Sequence, residues 1–251
     1  MLIDTHSHLN FKAFDKDRDI VIKRSLENNV WQINASSTFD TSKLAVEIAE
    51  KYKEGVYASI GLHPIHIKDE EFNVEKYREL AKNNKVVAIG ETGLDYMYPE
   101  REKQKQIFLQ HLELAKQLNL PVILHCRKAH NEMLEILKSL KARPRVRGVV
   151  HCFTGNWTQA KQYLDLGLHL GFNGIIFKHN VDEIIKKAPL NRILIETDCP
   201  YLTPPQAETK RNEPIFVKYV AERVVELRGE SFEEFTKAVA QNAISLFDLA
   251  R

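Results

Sequence analysis

The chain begins MLIDTHSHLN, and His6 and His8 lie two residues apart in this apolar run. Side chains two residues apart in an extended strand point to the same side, so both imidazoles can reach one metal ion. A single histidine at a strand end is more often a hydrogen-bonded polar residue than a ligand. Asp4 has the same phase deeper in the run, where orienting an imidazole and a purely structural hydrogen-bonding role fit equally well.

Four further residues that can bind metal close other β-type runs of the sequence. They are Glu91 in VVAIGE, His125 in PVILHC, His151 in GVVHCF and Asp198 in RILIETD. Four imidazoles and two carboxylates exceed the usual protein ligands of one zinc ion, and they suit a two-metal site with a bridging carboxylate and a bridging water. Imidazoles favour zinc, whereas carboxylate-bridged hydrolases often use manganese or magnesium, so the metal identity stays open among Zn, Mn and Mg.

Eight β-type runs alternate with amphipathic helical patterns, and these elements must position the candidate ligands. The runs cover residues 2–8, 31–36, 56–62, 86–91, 121–126, 148–153, 168–174 and 192–198. Helical stretches such as EKQKQIFLQHLELAKQLN carry apolar residues at three- and four-residue spacing. Strict alternation predicts parallel strands with right-handed crossovers, and eight repeats predict an α/β fold of the (β/α)8 TIM-barrel type. The carboxyl strand ends of such a barrel carry the chemistry, and all six candidate ligands fall there.

Two more helices follow the eighth run. Pro214 lies near the start of the first helix and Gly229 just after its end. Ser231 and Glu234 have the spacing of a capping box at the start of the second. We therefore predict a single domain over residues 1–251, a barrel with extra C-terminal helices.

The composition narrows the class of protein. With 43% hydrophobic residues the chain can bury a large core, and its formal net charge of +2 gives no strong overall attraction to nucleic acid or membrane, so a polyanion must bind at a local site. No apolar run approaches the roughly 20 residues that span a bilayer, and the first residues lack a signal-peptide pattern. Three cysteines without CxxC spacing favour a reduced, cytoplasmic location. The oligomeric state stays open, a monomer included.

Each cysteine directly follows a candidate ligand. Alternation along a strand predicts that Cys126 and Cys152 point away from the barrel lumen as small buried hydrophobes. For Cys199 the direction is open, because Pro200 can interrupt the strand.

Four residues near the predicted site are candidates for substrate binding: His63, Arg127, Arg211 and Asn212. His63 ends the third run, where a substrate contact and a loop hydrogen bond fit equally well. Arg127 follows a candidate ligand, and the stretch KRNEP could reach over the barrel mouth towards a phosphate. Solvated loop charges are the alternative for these basic residues.

The motifs DTHSHL, IGETGLDY, LPVILHCR, HCFTG and ETDCPYLTP…KRNEP together resemble the TatD family of metal-dependent hydrolases and DNases, a branch of the amidohydrolase-like barrels. The resemblance runs from residue 2 to about residue 247. The ligand sets it implies are His6, His8 and Asp198 for one ion, His125 and His151 for the second, and Glu91 as the bridge. It also implies that Asp198 takes the proton of the attacking water.

The chain departs from the family pattern in two places. Cys126 and Cys199 stand where the family usually has serine. Within the loop 204–210, PQAETK replaces a run that commonly resembles His-Arg-Gly-Lys, which weakens the prediction of substrate contacts and leaves the metal site untouched.

We predict a divalent-metal-dependent deoxyribonuclease that cleaves phosphodiester bonds at DNA ends, with Glu91 and Asp198 as its catalytic residues. Two divalent cations against two carboxylates and one hydroxide leave a net positive pocket, which can stabilise the charge of a phosphoryl transition state. The near-neutral chain favours a compact pocket for ends over a long groove for duplex. DNA against RNA and the polarity of cleavage stay open.

The alternative keeps the metals and changes the bond, to an ester or amide such as an aminoacyl-tRNA ester or a small lactone. Many barrels with that chemistry bridge their metals with a carboxylated lysine, whereas Lys85 lies at the start of its run and Glu91 takes the bridging position. A non-catalytic scaffold barrel is a third class, and it predicts erosion of a ligand set that is intact here.

Overall fold

Eight parallel strands form one sheet, and their order in the sheet is their order in the chain. The computed structural model that gives this architecture describes residues 1–139 and 146–249, so residues 140–145 and 250–251 of the predicted domain lie outside the description. The strands are β1 (Leu2–Ser7), β2 (Val30–Asn34), β3 (Val56–Ile60), β4 (Val86–Asp95), β5 (Val122–Arg127), β6 (Gly148–Val150), β7 (His169–Phe172) and β8 (Ile193–Ile195). The sheet closes where Ser7 bridges to Cys199 just after β8, and where the His8 amide donates to the Cys199 carbonyl oxygen at 2.9 Å. The predicted TIM barrel is confirmed.

Helices separate the strands and cover the outside of the sheet. They are α1 (Arg18–Glu27), α2 (Phe39–Glu50), α3 (Val74–Leu80), α4 (Arg101–Leu118), α5 (His130–Ser139), α6 (Trp157–Asp165), α7 (Asp182–Lys187), α8 (Val217–Arg228) and α9 (Phe232–Phe247). Helix α8 completes the eighth strand-helix pair, and α9 is additional. Within residues 1–139 and 146–249, no helix is both long and apolar enough to cross a membrane.

The C-terminal helices begin and end at the residues that the sequence marks. Pro214 opens a short 3-10 turn that leads into α8, and Gly229 ends α8 with a φ of 66°, a conformation that glycine adopts without strain. The Ser231 hydroxyl accepts a hydrogen bond from the Glu234 amide at 3.4 Å and so caps α9.

Helix α9 closes the amino end of the barrel. Its Leu246 and Phe247 pack in one cluster with strand residues such as Ile3, Ile33 and Ile123, all of which are buried. Each such apolar side chain contributes about 1.5–3 kcal/mol when it leaves water. The amino end is thus filled with apolar side chains, and polar chemistry is left to the carboxyl end.

Three strands end at least three residues away from the ends that the sequence predicts. Strand β4 continues to Asp95, because Gly93, with a φ of 147°, lets the chain approach His125: a Cβ there would lie 2.0 Å from the His125 carbonyl oxygen. Strands β6 and β8 are shorter than expected. Cys152 and Asp198 have φ angles of 46° and 59°, in the left-handed region, which turns the chain out of the sheet at the height of the candidate ligands.

Candidate metal centre

A cavity of about 900 Å³ opens at the carboxyl ends of the strands. Five of the six predicted ligands line it: His8, Glu91, His125, His151 and Asp198. His6 lies beneath them and is fully buried. Although the six come from five separate strand ends, the fold brings all of them together.

Glu91 lies at the centre of this cluster. Its Oε2 is 3.2 Å from His6 Nε2. Its Oε1 is 2.7 Å from His125 Nδ1 and 3.1 Å from His151 Nε2. The two oxygens of one carboxylate therefore face two different groups of imidazoles, as a bridging ligand requires.

His6, His8 and Asp198 form one of these groups. His8 Nε2 lies 3.2 Å from His6 Nε2 and 3.2 Å from Asp198 Oδ1. Ligands at about 2.1 Å from a tetrahedral zinc ion lie about 3.4 Å from each other, so these separations fit a common ion. The three donor atoms all fall within 4.8 Å of one another, as do those of His63, Glu91 and His125. The donor set of imidazoles and carboxylates fits divalent transition metals.

Hydrogen bonds on the far side of three imidazoles fix the nitrogen that each presents to the cluster. His8 Nδ1 donates to the Ala35 carbonyl oxygen at 3.0 Å, His151 Nδ1 to Glu196 Oε1 at 2.9 Å, and His125 Nε2 to Asp95 Oδ2 at 3.3 Å. A carbonyl or carboxylate oxygen can only accept, so in each neutral ring the opposite nitrogen keeps its lone pair for the cluster.

Glu196 is a residue of this site that the sequence reasoning missed. It is fully buried, and its Oε1 also accepts from the Cys152 amide at 2.8 Å and from Asn173 Nδ2 at 3.1 Å. Gly171 makes room for it, because a Cβ at that position would lie 2.6 Å from Glu196 Oε2. Glu196 shares the strand phase of Asp198, two residues on, and that spacing is a signal by which it could have been found.

Asp95 was missed in the same way. It is buried, and it has the same phase as Glu91, four residues earlier in β4. The predicted run ends at Glu91, whereas the strand continues past Gly93 to Asp95, so the shared phase of the two carboxylates is visible only in the structure.

The carboxylates and imidazoles of the cluster shift each other's pKa values towards the charged forms at Glu91, Asp198 and His151. Burial alone would raise the pKa of Glu91, but the surrounding imidazoles outweigh burial and hold that pKa well below its usual range. Burial would likewise raise the pKa of Asp198, and the hydrogen bond from His8 reverses the direction. Burial lowers the pKa of His151, whereas Glu196 and Glu91 raise it, and the net result lies well above the usual value. Carboxylates with lowered pKa values beside imidazoles with raised ones show that this cluster favours positive charge, and binding of a metal ion here would release protons.

His63 joins the cluster in a different role. Its Nε2 lies 3.2 Å from Glu91 Oε1, and its Nδ1 accepts from the Ile65 amide at 3.1 Å. Burial lowers the pKa of His63 to about 4, so the ring is neutral at pH 7 and carries its proton on Nε2. That N–H is directed at Glu91 in the wall of the cavity, and a nitrogen that carries a proton suits hydrogen bonding to an oxygen better than metal binding.

The other predicted substrate contacts divide into one at the cavity and two away from its lining. Arg127 lines the cavity, with 59% of its side chain exposed. Arg211 instead pairs with Asp17, at 2.9 and 2.6 Å, and with Glu213 at 3.0 Å. Asn212 is fully buried. We therefore assign no substrate contact to Arg211 or Asn212: ion pairs hold the guanidinium, and the amide has no exposed surface.

Asp4 takes the structural role of the two that the sequence left open. Its carboxylate accepts from the Thr197 amide at 2.8 Å, from the Thr197 hydroxyl at 2.5 Å and from the His6 amide at 3.2 Å. It thereby ties β1 to the segment after β8, at the seam where the barrel closes.

The cysteines differ among themselves. Cys126 is buried and its Sγ lies 3.7 Å from the Tyr163 hydroxyl of α6, on the helix side of the sheet, as predicted. Cys199 is fully buried. The prediction that Cys152 is a buried strand residue is wrong, because β6 ends before it and the residue is only partly buried. Its thiol donates to Asn173 Oδ1 at 3.5 Å.

Comparison with known proteins identifies the family of this chain. Residues 3–248 match the family model of TatD-related DNases. The chain is 42% identical to the metal-dependent hydrolase YabD of Bacillus subtilis (strain 168), over 98% of this chain and 99% of that protein. It is 36% identical to the 3'-5' ssDNA/RNA exonuclease TatD of Erwinia amylovora, over 99% and 100%. The crystal structure of YJJV, a TatD homologue from Escherichia coli K12, superposes with a TM-score of 0.90 at 32% identity and 98% coverage of both chains. The chain therefore belongs to the TatD family of metal-dependent hydrolases.

Proposed function

We propose that this protein is a divalent-metal-dependent deoxyribonuclease that hydrolyses phosphodiester bonds at DNA ends. The observation that carries the proposal is the position of Glu91, whose two oxygens face two groups of donors within one cavity. The relative from Erwinia amylovora is named as a 3'-5' ssDNA/RNA exonuclease, which supports single-stranded 3' ends as the first substrate to test.

We infer two metal positions from the donor set. His6, His8 and Asp198 would hold one ion, His125 and His151 the other, and Glu91 would bind both. When bound, the ions would supply positive charge for the phosphate oxygens and lower the pKa of the attacking water.

The chain's own residues supply the remaining roles. Asp198 is the carboxylate that water can reach, because 16% of its side chain is exposed against 4% for Glu91. Its lowered pKa keeps it ionised, so it can accept the proton of the attacking water. His63 would donate its Nε2–H to a phosphate oxygen, and Arg127 would add a charge at the rim.

The shape of the site favours ends over continuous duplex. A volume of about 900 Å³ is in the range of pockets that enclose small ligands, so it suits a terminal nucleotide. The net charge of +2 gives little general attraction to a long polyanion.

The test uses single-stranded DNA labelled at the 5' or the 3' end, incubated with protein and Mg²⁺, Mn²⁺ or Zn²⁺. We expect stepwise shortening, and we expect Glu91→Ala to lower the rate by roughly 10³-fold or more because charge stabilisation of several kcal/mol is lost. Glu79→Ala, at an exposed carboxylate of α3, is the matched control with unchanged activity.

Circular dichroism of both variants separates loss of function from loss of fold. Full nuclease activity of folded Glu91→Ala would overturn the proposal. Cleavage of carboxylic ester or lactone substrates by wild-type protein that leaves every DNA intact would replace it with the alternative chemistry.

A further inference from the structure

An aromatic side chain stands exposed at the edge of the candidate metal centre. Among the described residues, seven large apolar side chains are exposed, and two of them, Tyr201 and Tyr98, line the site cavity. Tyr201 is 56% exposed. Exposed aromatic surface next to a site often marks a ligand-binding surface. A ligand that covers the ring removes this apolar surface from water, which favours binding.

The ring of Tyr201 lies directly beside the candidate ligands. It follows Asp198 by three residues, and its centroid is 6.4 Å from that of the His8 ring, with the two rings tilted by 68°. His8 in turn contacts Asp198 at 3.2 Å. A group stacked on the Tyr201 ring would therefore be a close neighbour of a phosphate held at the cluster.

Hydrogen bonds, one of them from the buried Asn212 side chain, hold the Tyr201 backbone in place. Asn212 Nδ2 donates to the Tyr201 carbonyl oxygen at 2.7 Å and to the Thr197 carbonyl oxygen at 3.0 Å. The Tyr201 amide donates to the Asp198 carbonyl oxygen at 3.0 Å. The ring is thus presented from a fixed turn, so a ligand that stacks on it spends little free energy on ordering the loop. This also gives Asn212 a structural purpose within the site.

We propose that Tyr201 is a stacking surface for the base of the nucleotide next to the scissile phosphate; the inference rests on the proposed nuclease function. Aromatic rings stack on bases with little dependence on sequence, because every base has a π-face. Inside a duplex both faces of a base are covered by neighbouring pairs, whereas an unpaired end can turn one face towards the ring.

The test compares single-stranded oligonucleotides that end in a normal nucleotide or in an abasic one. Binding is measured by fluorescence anisotropy with Ca²⁺, and cleavage is measured separately with Mn²⁺. We expect Tyr201→Ala to raise Kd and KM for the normal oligonucleotide about 5- to 100-fold. We expect Tyr201→Phe, which keeps the ring, to restore most of the affinity.

The losses of affinity caused by Tyr201→Ala and by removal of the terminal base should not add. Removal of the terminal base should weaken binding to wild-type protein, and the same removal should have little further effect in Tyr201→Ala, since both changes delete the same contact. Phe232→Ala removes an exposed aromatic ring of α9 and serves as the control with unchanged affinity. Mn²⁺ binding measured by calorimetry checks that Tyr201→Ala leaves the metal positions intact.

The outcomes separate the two proposals. Cleavage with equal Kd and KM in wild type and Tyr201→Ala would overturn the stacking surface and keep the nuclease. Binding that depends on Tyr201 without cleavage by any metal would overturn the nuclease and keep the stacking surface. Wild-type protein that neither binds nor cuts the oligonucleotides would overturn both.

Discussion

His151 at the barrel mouth and His111 on α4 are both buried, with 5% and 0% of their surface exposed. His111 lies against the Phe72 ring at 3.7 Å, donates to the Ile107 carbonyl oxygen at 2.8 Å and accepts from the Leu62 amide at 3.0 Å. Burial lowers its pKa to about 4. His151 is enclosed by carboxylates, and its pKa is raised.

The difference between these regions shows what burial alone does to a histidine. In the helix layer a buried imidazole becomes a neutral linker between backbone groups. At the mouth the carboxylates raise the pKa of His8, His125 and His151. Burial still lowers the pKa of His6 and of His63 there, so a neighbouring carboxylate offsets burial for some imidazoles and not for others. The number of histidines in a region therefore says less about whether it can bind a cation than the carboxylates that contact those histidines.

The largest effect within this comparison is expected for Glu196→Gln. The substitution keeps the shape of the side chain but removes the charge that holds His151 Nδ1, so we expect metal affinity to fall about 10- to 100-fold, mainly at the position proposed for His125 and His151. Calorimetric titration of the metal-free protein with Mn²⁺ measures it. Glu213→Gln, which changes a carboxylate paired with Arg24, is the control. Equal affinity in both variants would show that the carboxylate behind the imidazole is dispensable.

A smaller effect is expected on the free energy of unfolding when the pH is lowered, because of the buried His111 in the helix layer. The folded pKa of His111 is about 4 and the unfolded value about 6.5, so between these values the unfolded chain binds more protons and the free energy of unfolding falls as the pH falls. This one group should remove about 2 kcal/mol between pH 7 and pH 5. Urea unfolding with EDTA should therefore give a weaker pH dependence for His111→Gln than for wild type.

His130 and His169 also have a pKa lowered to about 4 by burial, so the wild-type slope contains their contributions as well. The difference between wild type and His111→Gln isolates the single group. His179→Gln, at an exposed position, should keep the wild-type slope. An unchanged slope in His111→Gln would mean that His111 does not stay neutral in the folded protein.

The smallest effect is expected at the rim, where charges are exposed. Arg127→Ala should raise KM for single-stranded DNA about two- to fivefold at low salt, because an exposed charge contributes at most about 1 kcal/mol. The effect should shrink towards wild type at 0.5 M salt, where screening is strong. A penalty that does not depend on salt would place Arg127 inside the site rather than at its edge.

The barrel and its cluster could be predicted from the sequence because both depend on alternation. Strand-helix alternation determines the fold, and residues such as His6 and His8 share a face by two-residue spacing. Glu196 and Asp95 obey the same spacing but were not predicted. Each carboxylate binds the far nitrogen of an imidazole, and the sequence does not distinguish this position from that of an ordinary buried polar residue. Arg211 looked available for phosphate because the sequence does not reveal that the distant Asp17 folds back onto it.

The metal content of the purified protein tests the central claim most directly. After dialysis against Mn²⁺, elemental analysis should give two ions per wild-type chain and at most one per folded Glu91→Gln chain, because in the proposed site the Glu91 carboxylate would bind at both positions. Two ions retained by Glu91→Gln, or a single ion in fully active wild-type protein, would contradict the account.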